Sequence, residues 1–316
     1  MGFRKIISFG DSSFVVSLPK DWVTKNGLKK GDPVNVEEKD DGIKITPVNR
    51  KQSPSTKEIN ISFDGNVRKL NAELVYAYVD NYNLINILGK DLFSYMKQIE
   101  QTVDNFVALE VMQKSPTKIV IKDCLNLNEI SVYDTLRRID RIVLSMAEDV
   151  KNYFTGKVKN VNESLEYKEK DVTRLSNLLF KILKRSFDPN DKALLNLSLD
   201  DIFFYWEVIL FVEKVGDQLK RMPRNINAPL PNDFILIFDK VMEQYSEAMN
   251  ANFNVNYEAA INVIVNKRKI YDEIDNLADK LPARSLGTTT ERAKNINSHA
   301  GNIAKAFLKL KLEHKK

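Results

Sequence analysis

The 316-residue chain contains one cysteine, Cys124, and two histidines, His299 and His314. A single thiol excludes an intramolecular disulfide and leaves no thiolate cluster for zinc, so Cys124 is expected as a small buried hydrophobe. Both histidines lie far downstream of it, and a cysteine–histidine pair for nucleophilic catalysis has no supporting signature. The sequence also lacks a Gly-rich phosphate loop, a dinucleotide fingerprint and an H-E-x-x-H zinc motif, and its acidic pair Asp40-Asp41 sits in a turn. These absences argue against an enzyme.

Long apolar runs are missing too. The strongest, residues 202–212, is shorter than the roughly 18–20 residues a bilayer requires and is interrupted by Glu207. The first residues have no apolar signal-peptide core, so a cytosolic (cytoplasmic) location without an integral membrane segment is expected. Charge of one sign is scarce as well. The 48 Lys and Arg against 43 Asp and Glu give a net charge of +5, too little over this length to imply nucleic acid by itself. What the chain does have is a 43% hydrophobic fraction, ample for packed cores, and a length that suggests two or three domains of roughly 100–200 residues.

Residues 14–18 form a β-branched, apolar run stopped by Pro19, and a short helical turn over residues 21–25 follows. Gly31-Asp32 turns the chain into a strand with alternating Val34 and Val36, which Asp41-Gly42 joins tightly to a strand over residues 43–46. About fifty residues lie near the lower limit for a self-sufficient core, so the apolar faces are expected to find partners elsewhere.

Arg4-Lys5-Ile6, the stretch SFVVSLPK over residues 13–20, Trp22, Gly27-Leu28 and Gly31-Asp32 closely resemble the AbrB/SpoVT family of swapped-hairpin DNA-binding domains. The resemblance implies an intertwined homodimer formed through residues 1–50, with DNA as partner. Arg4, Lys5, Lys20, Lys25, Lys29 and Lys30 are the candidate DNA-binding residues, and Arg4 and Lys5 match the start of the family's basic pattern. Residues 1–50 carry nine basic and seven acidic side chains, so the alternative is that these are ordinary surface charges on a dimerisation module.

A polar stretch over residues 50–57 reads as a linker with a boundary near residue 54. Residues 58–122 then alternate: an extended segment over 59–63, a helix over 67–79, a strand over 84–88, a helix over 92–106, and strands near 109–112 and 118–121. This is the pattern of a small α/β connector domain. Residues 74–82, followed by Ile85 and Ile87, resemble the linking region of archaeal proteins that fuse an AbrB-type domain to a PhoU-type domain; a spacer or dimerisation role is expected.

From residue 131 the period becomes helical. Val132, Leu136, Ile139, Val143, Met146, Val150 and Phe154 recur at steps of three and four, and Val172, Leu175, Leu179, Ile182 and Leu183 do the same. A third helix is expected over 192–220. After Pro223, Pro229 and Pro231, three more are expected over 233–253, 257–281 and 288–313, with breaks at Pro282 and Gly287. Two sets of three helices suggest an internal duplication. Leu136-Arg137-Arg138-Ile139-Asp140, residues 169–175 and Val212-Glu213-Lys214-Val215-Gly216-Asp217 make residues 131–314 resemble the PhoU family of phosphate-signalling regulators.

In that family the third helix of each repeat carries a Glu/Asp-x-x-x-Asp motif that binds metal in some members, and Glu213 and Asp217 match it. Their i,i+4 spacing puts both carboxylates on one helix face, where a divalent or transition metal ion could bind. The alternative is a solvated face paired with Lys214 or Lys220. In the second repeat one alignment on the motif puts Asn295 in the second acidic position, and another puts Lys294 and Ser298 in both. Glu273 and Asp275 remain there as weaker candidates, and no cofactor is required. The apolar stripe Ile202, Phe203, Trp206, Ile209 and Leu210 is expected as bundle core.

The fold class expected is therefore multidomain: an AbrB-like β swapped-hairpin, a small α/β connector and an all-α PhoU-like pair of three-helix bundles. The resemblances imply a transcriptional regulator of phosphate uptake that binds DNA. The competing reading is an adaptor that acts on phosphate transporter subunits or a sensor histidine kinase without touching DNA.

Overall fold

The computed structural model describes residues 3–10, 13–39, 42–47, 57–187, 195, 197–224, 226–279 and 283–312. The chain divides into two compact units, Met1–Thr56 and Lys57–Lys316.

In the first unit, β1 (Ile7–Phe9) pairs antiparallel with β2 (Ser13–Val15), and β3 (Val34–Lys39) pairs antiparallel with β4 (Gly42–Pro47). The two ribbons are separate sheets, with helix α1 (Lys20–Lys25) between them in sequence. Gly27 closes α1 in the left-handed conformation at φ 64°, and Leu28 N–H donates back to Val23 O at 3.0 Å. Of the apolar run at 14–18, only Phe14 and Val15 lie in the ladder, opposite Ser8 and Ile7. Gly42 lies in the ladder opposite Lys39, so the connection between β3 and β4 is residues 40 and 41 rather than Asp41-Gly42. Those two residues and most of the expected linker lie outside the described residues. Lys57 does not belong to that linker, since its N–H donates to Asn83 Oδ1 at 3.0 Å inside the second unit.

The second unit opens with a four-stranded sheet in the order β5-β6-β8-β7, built from β5 (Glu58–Ser62), β6 (Leu84–Leu88), β7 (Leu109–Lys114) and β8 (Lys118–Asp123). β5 and β6 run parallel, as the crossover through α2 (Val67–Val79) requires; the other pairs are antiparallel. Asn66 starts α2 by accepting from the N–H groups of Arg68 and Lys69. Ile61, Ile85, Ile87, Ile119 and Ile121 point to one face, where Leu70 and Leu74 of α2 and Ile99 of α3 (Met96–Val103) bury them.

The helices that follow are α4 (Val132–Phe154), α5 (Asn162–Arg185), α6 (Leu199–Arg221), α7 (Asn232–Asn254), α8 (Tyr257–Ala278) and α9 (Ala283–Leu312). Ser131 caps α4, Asn256 caps α8, and Ser198 with Asp201 forms a capping box on α6. Both periodic stripes expected for α4 and α5 are buried at every position. Phe154 of α4 meets Phe234 and Phe238 of α7 edge to face, which joins the first three helices to the last three.

Several expectations change. α6 begins at Leu199 rather than near 192, held there by its capping box, and residues 188–194 lie outside the described residues. α8 ends at Ala278, three residues early. α9 runs through Gly287, which was expected as a break; one glycine costs a helix only about 1 kcal/mol, and packing overrides it. Phe203 is 65% exposed because it lies off the buried line of Ile202 and Ile209. Cys124 is exposed rather than buried, since it follows β8 where the chain leaves the sheet. Among the described residues, no helix is long and apolar enough to cross a membrane.

Candidate functional site

All six basic residues singled out in the first unit are exposed. Arg4 and Lys5 precede β1, Lys20 and Lys25 are the first and last residues of α1, and Lys29 and Lys30 lie in the following turn. That turn is fixed by Asp32, whose Oδ2 accepts from Lys29 N–H at 2.7 Å and whose own N–H donates to Lys29 O at 3.1 Å. None of the six side chains forms an ion pair among the described residues, which leaves their charges available to phosphate oxygens.

The apolar side chains of this unit are as exposed as the basic ones. Phe14 is 77% exposed, and Ile7, Val16, Val36 and Ile43 are also largely uncovered. No described residue of the unit is buried. Both ribbons therefore lack a core within one chain, as the length of the segment predicts.

In the second unit, Glu213 and Asp217 lie one turn apart on α6. Burial pushes the Glu213 carboxyl above its ordinary range, and the charges of Glu169 and Asp217 push the same way against Lys214 and the Thr173 hydrogen bond. Arg221 Nη2 holds Asp217 Oδ2 at 2.9 Å, and Lys220 Nζ holds Glu169 Oε2 at 2.6 Å. The pairing expected for Lys220 is thus corrected: it reaches across to α5, and Asp217 takes the arginine one turn on. In the second set of helices Glu273 pairs with Lys240 at 2.6 Å and Asp275 with Lys294 at 2.5 Å. Ammonium and guanidinium groups hold Asp217, Glu169, Glu273 and Asp275, while among the described residues Glu213 forms no ion pair and no group of three or more His, Cys, Asp or Glu converges. Of the candidate metal ligands, Asp217, Glu273 and Asp275 are thus each engaged in an ion pair.

Near this surface a basic cluster escaped the sequence reading. His299 on α9 stacks on Phe211 of α6 with ring centroids 5.8 Å apart. Burial, then the charges of Lys214 and Lys267, hold its imidazole down at about 4. The residues come from three helices, and no spacing in the chain announces their meeting.

Residues 7–53 match the family model described as antidote-toxin recognition MazE, bacterial antitoxin. No curated protein matches the chain, and no solved structure does. The chain therefore opens with a segment similar to the MazE/AbrB-like domains, and the match extends over the first unit alone.

Proposed function

We propose that the protein is a homodimeric DNA-binding regulator that dimerises through the first unit. The helical part of the second unit would then be a PhoU-like sensor or adaptor in phosphate homeostasis. The observation that carries the reading is the exposure of Phe14, Ile7, Val16, Val36 and Ile43 in a unit with no buried residue. A second copy of the same ribbons is the partner that supplies apolar side chains to cover these exposed ones. The match of residues 7–53 to MazE-type antitoxins supports the same assignment of the unit. Dimerisation doubles the exposed basic set of Arg4, Lys5, Lys20, Lys25, Lys29 and Lys30, and with it the number of phosphates neutralised. The PhoU-like part rests on resemblance, together with the succession of α4–α6 and α7–α9. We assign no catalytic role to any residue.

The test is light-scattering mass with DNA affinity against salt for the full chain on its own upstream region and on random DNA. A dimer with steeply salt-dependent binding, specific for the upstream region and weakened in an Arg4→Ala, Lys5→Ala variant, is expected. A folded dimer that binds no DNA at low salt refutes the DNA reading. Exposed Leu199 and Phe203 on α6 favour the adaptor reading in that event, as a surface for a transporter or kinase partner.

A further inference from the structure

We infer that the seam of α6, α8 and α9 binds an oxyanion of the phosphate class, held by Lys267, Ser298 and His299 with Lys214 and Lys305 at its edge. Lys267 of α8 lies across α9 at Gly301: a Cβ there would stand 2.8 Å from Lys267 Cδ, so only glycine lets the stem lie flat. Its ammonium donates to Ser298 Oγ at 3.1 Å, and its backbone carbonyl accepts from the buried Asn297 Nδ2 at 2.9 Å. The side chain is therefore fixed on a neutral hydroxyl rather than on a carboxylate.

Most bundle lysines of comparable position are neutralised, as Lys151 is by Asp239, Lys168 by Asp149, Lys220 by Glu169 and Lys240 by Glu273. Lys214, Lys267 and Lys305 form no ion pair among the described residues. Glu213, which senses Lys214, is also under the charges of Glu169 and Asp217. His299 adds a second unsatisfied group: its Nδ1 is buried with no hydrogen-bond partner. Burial first, and then the charges of Lys214 and Lys267, keep the His299 imidazole neutral, and burial and then the charge of Lys305 act in the same direction on Lys267.

Three lysines without an ion pair among the described residues and a hydroxyl, drawn from three packed helices, form a site that a multiply charged oxyanion satisfies. The sequence pattern agrees. In one of the two alignments on the acidic motif Ser298 stands where a carboxylate would be, so Lys267 meets a hydroxyl there, while Lys294 is itself neutralised by Asp275 and Glu291. The free anion and the phosphate group of a nucleotide share this chemistry. The inference stands on side-chain geometry and not on DNA binding, so either can fail alone.

The experiment is calorimetric titration of the full chain with inorganic phosphate, and separately with ATP, followed by imidazole NMR. With only His299 and His314 in the chain, the spectrum assigns readily. We expect saturable binding of phosphate or of ATP, the stronger of the two identifying the source. We also expect a rise in the His299 pKa on saturation, because a bound dianion favours the imidazolium. Lys267→Gln should weaken binding by about tenfold or more, while Lys151→Gln should not. Gly301→Ala, which displaces the Lys267 stem, should reproduce the loss if Lys267→Gln proves unstable. No heat and no His299 shift with either ligand at about 10 mM, or unchanged affinity in a folded Lys267→Gln or Gly301→Ala variant, overturns the inference.

Discussion

Lys181 of α5 and Asp123 at the end of β8 meet at 2.9 Å with their side chains 0% and 3% exposed. The ammonium also donates to Tyr78 O at 3.0 Å and lies 4.6 Å from the Tyr78 ring centroid. Burial lowers the lysine pKa, and the Asp123 charge opposes that shift. Asn81 Nδ2 donates to Lys181 O at 3.2 Å, and Lys184 pairs with Asp80 one turn away. Together these contacts pack the sheet against the helices within the second unit.

Removing one partner of this pair strands the other without solvent. Lys181→Met is expected to cost about 3–5 kcal/mol in urea unfolding, and combining it with Asp123→Leu should recover most of that loss. Equal losses in the single and double variants would show that the stabilisation comes from packing of the lysine stem alone.

Asp140 of α4 is buried beside Tyr245 of α7, with Arg137 and Arg141 on its own helix. Burial pushes its carboxyl up to about 6, against the opposing effects of Tyr245 and the two arginines. A folded-state pKa above the unfolded one means that the folded chain holds the extra proton between about pH 4 and 6. The associated stability is complete below that window and lost as pH rises through it. Asp140→Asn should therefore be the more stable protein at pH 7, by on the order of 2 kcal/mol, and should lack that part of the pH dependence. Urea midpoints at pH 4.5, 6 and 7.5 check the slope; parallel profiles for the two proteins would contradict it.

The bundle was legible in the sequence because helical burial is periodic: the stripe from Val132 to Phe154 could be read residue by residue, and each position is buried. The sheet was legible because extended segments alternate with helical ones over residues 58–122. Phe203 misled because the helix buries one narrow line, and a hydrophobe one step beside Ile202 falls outside it. Gly287 misled because local propensity is weaker than packing against neighbouring helices. The basic seam was invisible for another reason. Lys267 and Ser298 lie 31 positions apart, and what distinguishes that lysine is a missing carboxylate, which only the folded arrangement reveals. The exposed surface of the first unit was anticipated from length alone, as too few residues to enclose a core.

Glu213 separates two views of the acidic pair on α6. Its carboxyl is partly buried, raised by that burial and by the charges of Glu169 and Asp217, so its ionised form opposes folding at neutral pH. With the folded pKa above the unfolded one, the stability linked to this group is lost as pH rises through the folded value. Glu213→Gln removes the charge, keeps the shape and leaves an amide able to meet the Thr173 hydroxyl; the melting temperature at pH 7 should rise, and the gain should vanish at pH 4. Asp217→Asn should lower the melting temperature at pH 7, because it breaks the 2.9 Å pair with Arg221. A bound divalent cation would reverse the first result, since Glu213→Gln would then remove a ligand and lower the melting temperature in the presence of metal. Thermal scans of both variants with and without manganese therefore decide between a strained carboxylate restrained by neighbouring cations and a true metal ligand.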